Sequence, residues 1–274
     1  MILRLVVMLG MLVVLPLGLG LIPGLPKGLP RLWVAGAVPA AVALWLSQGP
    51  LAAGLCVPYE LVAVGLALFG LRWWWRSPRG AADLAVLVAL AAPTVAATAL
   101  VAERAGRDLF GFPPSLLALT VAHFHFGGFA AALIAGLVCL STDDGPLARA
   151  AALCVPAGAA VVFLGFWLGR VGSFGRVMEL AGTVVLTVGL WLVAWLTWRE
   201  RRGADRLTRV LFLVAAVVPV ATMALALSWA LGRVSDLPHL SIDAMVASHG
   251  VANAVGFALC SVLAWRRKGM VHSG

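Results

Sequence analysis
Two histidines one residue apart lie inside an apolar run, Leu119-Thr120-Val121-Ala122-His123-Phe124-His125-Phe126-Gly127-Gly128-Phe129. A third opens a similar run nearer the C-terminus, Ser248-His249-Gly250-Val251-Ala252-Asn253-Ala254-Val255-Gly256-Phe257. Upstream of both, the carboxylate Glu60 follows Pro58 and the chain's one tyrosine, Tyr59. Ionisable side chains in hydrocarbon are costly, so each needs a partner: one another, an ion, a cofactor or a neighbouring helix. A neutral imidazole can ligate a metal or a haem iron, accept a proton, or bridge two helices. A carboxylate can hold a cation or carry a proton.

At 1.5 Å per residue, Glu60, His123, His125 and His249 would all lie roughly 12–17 Å below one membrane face, which predicts a shared polar centre. Helical phase sorts them further. His249, Asn253, Gly256 and Cys260 fall on one small, polar stripe suited to facing another helix. His123 shares a face with Thr120, Gly127 and Ala130, while His125 is turned about 200° away beside Val121, Gly128 and Phe129. On an undistorted helix the two cannot bind one ion, so they serve different partners. His123 and His249 are the expected inward pair, with His125 acting independently. The ion- or substrate-binding set is Glu60, Thr120, His123, His125, His249 and Asn253. As ligands for haem or a divalent metal, the set is His123, His125 and His249, with the Cys260 thiol as a further donor.

The elements that position these groups are membrane helices. Hydrophobic residues make up 62% of the chain and charged residues 11%, with a mean hydropathy of +1.03. A soluble domain of this size could not cover so much apolar surface. Runs of about 20 apolar residues, enough to cross the bilayer core, recur without the alternation of a β-barrel strand. They predict nine spans, at approximately 3–22, 31–47, 50–72, 81–103, 114–140, 147–169, 177–198, 207–231 and 242–265. No small-x-small cleavage site precedes Pro23, so the first is read as a retained helix. Residues 1–274 form a single transmembrane domain: all-α, polytopic, a helix bundle.

Loop charges orient it. Of the twenty basic residues, Arg4, Arg104, Arg107, Arg170, Arg176 and Arg233 fall on one side; the other fourteen, including Arg72, Arg76, Arg79, Arg199, Arg201 and Arg267, fall on the opposite side. The richer side is cytoplasmic, which puts the N-terminus outside and the C-terminus inside the cell (cytoplasmic) membrane. The net charge of +9 then reads as a topology signal and a contact with anionic headgroups, not as nucleic-acid binding. Trp73–Trp75 beside Arg72 and Arg76, Trp198 beside Arg199, and Trp265 beside Arg266 read as interfacial anchors. Cys56, Cys139, Cys154 and Cys260 all sit in apolar spans with no CxxC pair, which argues against disulfides. Glu103, Asp108, Glu179, Asp236 and Asp243 are expected near the outer surface, paired with loop arginines or, for Glu179, at the start of a helix near Val177.

The two histidine motifs, in this order, resemble the YndJ-like family of bacterial membrane proteins, whose members are sometimes labelled transporters. The resemblance reinforces the choice of His123, His125, His249 and Asn253 and supplies no mechanism. Locally, Ala122-His123-Phe124-His125-Phe126 is similar to the His-Phe-His helix of haem-copper oxidases, where the two histidines bind different haems; the copper ligands of that family are missing. Three functions stay open. A transporter of an ion or small solute would use Glu60 and the histidines as a proton- or cation-binding centre, with prolines aiding motion. A membrane redox enzyme would ligate haem or metal. A structural or accessory membrane protein would use the polar groups only to join helices.

Overall fold
In hydrocarbon a backbone must satisfy its own hydrogen bonds, so apolar runs of this length are committed to helix. The computed structural model describes residues 1–272 except 77–79, 143, 144, 171 and 236. Arg79 and Asp236, both used above, lie outside the described residues. Its helices are α1 Ile2–Leu19, α2 Leu29–Ala43, α3 Pro50–Trp74, α4 Ala81–Arg104, α5 Pro114–Ser141, α6 Pro146–Leu168, α7 Ser173–Glu200, α8 Arg206–Val234 and α9 Ile242–Gly269. Eight are long and apolar enough to cross a membrane. The exception is α2, whose 15 residues reach about 22 Å. Among the described residues there is no strand, only a bridge between Leu109 and Phe112. Large apolar side chains point outward along the helices: Leu61 is 66% exposed, Leu68 63%, Trp195 55% and Val217 54%. That pattern suits lipid and not water.

Proline opens α3, α5 and α6, where its missing N–H costs nothing. Among the described residues, four stretches widen to i→i+5 turns: Gly10–Val14 in α1, Phe124–Ala130 in α5, and Val246–Gly250 and Ala252–Leu259 in α9. Three of the four overlap the histidine motifs. Such turns gather at functional sites and shift every later side chain out of ideal helical phase.

The chain divides into two compact units, Met1–Arg79 with Val86–Ala130, and Gly80–Ala85 with Ala131–Gly274. In the first unit the end of α2 is tied down by Arg104. Its Nη1 donates to the carbonyls of Ala43 and Leu46, each at 3.2 Å, as a cation should at a helix C-terminus. Glu103 pairs with the same guanidinium and accepts from Gln48 Nε2 at 3.1 Å, while the Gly49 N–H donates to the Arg104 carbonyl at 2.8 Å. Glu103 is therefore buried, 6% exposed, and not a surface acid. Its charge is needed inside because the capping guanidinium is inside.

The second unit is organised around α6 and α7. Gly175, Gly182 and Gly189 recur at heptad spacing on α7; Gly175 meets Gly169, just past the end of α6, and the other two meet Val162 and Val155 on it, while Gly158 and Gly165 do the same from α6. A Cβ on Gly182 would lie 2.5 Å from the Val162 nitrogen, and one on Gly158 2.5 Å from the Leu186 nitrogen. Backbone meets backbone, the packing small residues permit where lipid removes any hydrophobic drive. Glu179 lies beyond the first turn because α7 starts at Ser173, ahead of Val177; it is 3% exposed and faces Arg233, 3.6 Å away. So Glu179 is an interior ion-pair partner, not a helix-start acid. Trp198 stacks with Arg201 at 3.8 Å and Trp265 lies under Lys268 at 5.1 Å. These partners lie one turn on from each tryptophan, not next to it, since i and i+3 share a face. Asp205 caps α8, accepting from the N–H groups of Leu207 and Thr208 at 3.0 and 3.2 Å.

Candidate functional site
Tyr59 and Glu60 are consecutive on α3 and, about 100° apart around the helix, face different surroundings. Tyr59 is fully buried; its hydroxyl lies 2.6 Å from Nε2 of His125, whose ring is also fully buried. The Trp33 ring meets Tyr59 edge-on at 5.0 Å, and the Trp33 indole N–H donates to the Met11 carbonyl at 2.8 Å, inside the wide turn of α1. A chain of polar and aromatic contacts thus runs from α1 through α2 and α3 to α5. It ends at His125 Nδ1, which has no hydrogen-bond partner. Gly10 is packed against that nitrogen: a Cβ there would lie 2.6 Å away.

Glu60 turns toward α4. The Thr98 hydroxyl sits 2.8 Å from Glu60 Oε1 and 2.9 Å from the Thr94 carbonyl. One hydroxyl has one proton and two acceptor lone pairs, so the arrangement accepts either state of the carboxyl group. An ionised Glu60 accepts from Thr98; a protonated Glu60 donates to Thr98, which then donates to Thr94. Oε2 is buried and without a partner. Glu60 and Thr98 line a cavity of about 380 Å³ together with Val101, Ala102, Ala105, Arg107, Asp108 and Leu109.

The other sequence candidates are placed as follows. His123 is exposed, and its Nδ1–H donates to the Leu119 carbonyl at 2.9 Å. Thr120 returns its hydroxyl to the Leu116 carbonyl at 3.0 Å. The grouping of His125 with Val121, Gly128 and Phe129 is present, but that side is the buried one. The expectation of an inward His123 and a separate His125 is reversed. Aromatic and branched side chains win the interior, and Thr120, satisfied within its own helix, leaves its face free to turn outward.

In the second unit His249 and Asn253 face α8. His249 Nδ1–H donates to the Thr222 carbonyl at 2.8 Å, and its Nε2 accepts from Asn253 Nδ2 at 3.2 Å. The Thr222 hydroxyl lies 2.8 Å from Asn253 Oδ1, which closes a ring of three residues. Gly256 continues the stripe, since a Cβ there would lie 2.6 Å from Val218.

Sequence reading missed Tyr59, Trp33, Thr98 and Thr222 as partners. Tyr59 had a signal, being the one tyrosine beside a helix-interior proline. The threonines had none, because threonine in a membrane helix usually bonds its own preceding turn.

Haem or metal fits this geometry poorly. The α1 backbone at Gly10 closes the Nδ1 side of His125 and Tyr59 closes the Nε2 side, leaving no room for a macrocycle. Within each unit, among the described residues, no three of His, Cys, Asp and Glu gather as a metal site would require.

A family profile described as YndJ-like protein matches residues 5–257. Neither a curated protein nor a solved structure matches the chain.

Proposed function
The chain belongs to the YndJ-like family, and from that premise we propose that it is a transporter of an ion or small solute in which Glu60 is the proton- or cation-binding group. The observation that carries this is the carboxylate in the middle of α3, lining a cavity and held by a threonine that accommodates both of its protonation states. An intramembrane carboxylate facing a cavity is the usual signature of an ion or proton path. His125 supports the site from the neighbouring position through Tyr59. His249 and Asn253 fix α8 against α9, and Thr120 and His123 take no part in binding.

The proposal includes a single membrane domain of residues 1–274 with α2 as a ninth span, the N-terminus outside and the C-terminus in the cytoplasm. The loop charges support it. So does the tie between the 44–49 turn and Arg104, which puts the ends of α2 and α4 at one level. Reporter fusions after Gly80, Gly145 and Gly203 should read cytoplasmic, and those after Gly111 and Ser235 exterior; opposite signals would invert the map.

Function is tested by reconstitution into liposomes holding a pH-sensitive dye. Imposed proton, sodium and potassium gradients should drive a dye response in wild type and none in Glu60→Gln. Equal responses in the two proteins would remove Glu60 from the transport of these ions. None in wild type, with or without an organic ammonium ion supplied, would remove Glu60 from any transport role.

A further inference from the structure
We propose that the Glu60 cavity takes a compact organic monocation, an ammonium group carried on an apolar body, in preference to a bare metal ion. The inference rests on the transport reading for its purpose, but binding can be measured without transport.

Charge, size and wall chemistry point the same way. Arg107 and Asp108 both line the cavity and are exposed. Their charges cancel at that end of the site, leaving the Glu60 carboxylate as its net charge. A single negative charge calls for a single positive one. At about 380 Å³ the space is at the small end of the roughly 300–1,000 Å³ typical of small-molecule sites. It is far larger than a dehydrated sodium or potassium ion needs.

The wall decides between the two kinds of cation. Hard metal ions need a shell of about six oxygen ligands. Among the side chains lining the cavity, oxygens come from Glu60, Thr98 and Asp108 alone. The Thr98 oxygen is already engaged with Glu60 and the Thr94 carbonyl. Val101, Ala102 and Ala105 present only carbon, which a metal ion cannot use and an alkyl or aryl group can. An ammonium needs fewer acceptors. It can donate to the Glu60 carboxylate, while its body lies along the α4 wall. Such a charge-assisted bond is stronger than a neutral one.

The test is equilibrium binding to full-length protein in lipid nanodiscs. The probes are phenethylammonium and tert-butylammonium chloride, their uncharged alcohols, and sodium and potassium chloride. The ammonium ions should bind at least tenfold more tightly than the matching alcohols and should not be displaced by equimolar sodium or potassium. Glu60→Gln should remove that preference. Val101→Phe, which fills the cavity and leaves the carboxylate, should weaken both ammonium ions at least tenfold. Each variant is scored only if it elutes from size exclusion as wild type does; should Glu60→Gln fail that check, Val101→Phe and the alcohol comparison carry the test. Absence of ammonium binding, displacement by sodium or potassium, or binding indifferent to the scored substitutions would each overturn the proposal. Ammonium binding without any liposome flux would uphold the site and remove the transport reading. Flux of protons or metal ions without ammonium binding would do the reverse.

Discussion

Two histidine clusters, one in each unit, solve the same problem, polar chemistry inside hydrocarbon, in opposite ways. In the second unit, His249, Asn253 and Thr222 close on one another, and the α6–α7 seam brings backbone against backbone with no side chain between. In the first, the chain from Met11 through Trp33, Tyr59 and His125 stops at a nitrogen without a partner, and Glu60 leaves one oxygen unused beside a cavity. Buried polar groups that are fully satisfied rigidify a structure; those left partly satisfied need another reason to persist. The contrast gives His249 a structural task and leaves His125 and Glu60 with unused polar atoms. It is a contrast between these two clusters, since elsewhere in the second unit Glu179 Oε2, Arg233 Nε and Ser261 Oγ also lack a hydrogen-bond partner.

The seam is where the contrast breaks most expensively. Gly182→Ala should destabilise by about 3 kcal/mol, because α6 backbone atoms cannot yield as a flexible side chain would. Gly65→Ala, with nothing within 4 Å of its Cβ, should instead stabilise by about 0.5 kcal/mol. Denaturation in mixed micelles measures both; equal effects would mean that the helices do not touch at the seam.

A smaller effect separates the two histidines of α5. Tyr59→Phe strands His125 without any partner and should cost about 2 kcal/mol. His123→Ala should stay within about 0.5 kcal/mol, as surface changes do. A costly His123→Ala would restore the inward role that phase assigned to it. Asn253→Ala should cost about 1 kcal/mol, less than Tyr59→Phe, since the Thr222 hydroxyl keeps the Val218 carbonyl at 3.0 Å. If it proved the costlier of the two, the ring would be the more strained site.

The smallest effect is a pH slope. Hydrogen bonds from the Thr208 side chain and backbone, with Arg267 nearby, hold the Asp205 carboxyl down at about 2, below its ordinary 3.8. A depressed carboxylate stabilises the fold above the unfolded value and loses that contribution as pH falls from about 4 toward 2. Asp205→Asn should flatten stability across this window, measured by unfolding in acid-stable detergent. An unchanged slope would mean that the cap forms equally well in both states.

The fold was largely readable because length and apolarity alone commit a segment to membrane helix. All nine expected segments are helical; α2 closes at Ala43 instead of running to 47 because the Trp45 and Leu46 N–H groups turn to i−3 carbonyls. Residue type pointed to His125, His249, Asn253 and Glu60 as polar groups in the spans. Their partners were less legible. Phase arithmetic separated His123 from the His125, Val121, Gly128 and Phe129 side, but it does not say which side turns inward. Pairing of Glu103 and Glu179 with loop arginines was legible and is found, with Arg104 and Arg233. That both acids are buried was not, since nothing local shows that an arginine will be drawn inward to meet each of them.

The Arg104 tie also bears on the order in which the chain can be built. The carbonyls it caps, at Ala43 and Leu46, precede it by 61 and 58 residues. At about 5–20 residues per second, a ribosome needs roughly 3–12 s to deliver that guanidinium. Until then the shortest helix waits with its last carbonyls unanswered. Its final placement belongs to a later moment of synthesis than its own translation, after α4 has left the exit tunnel.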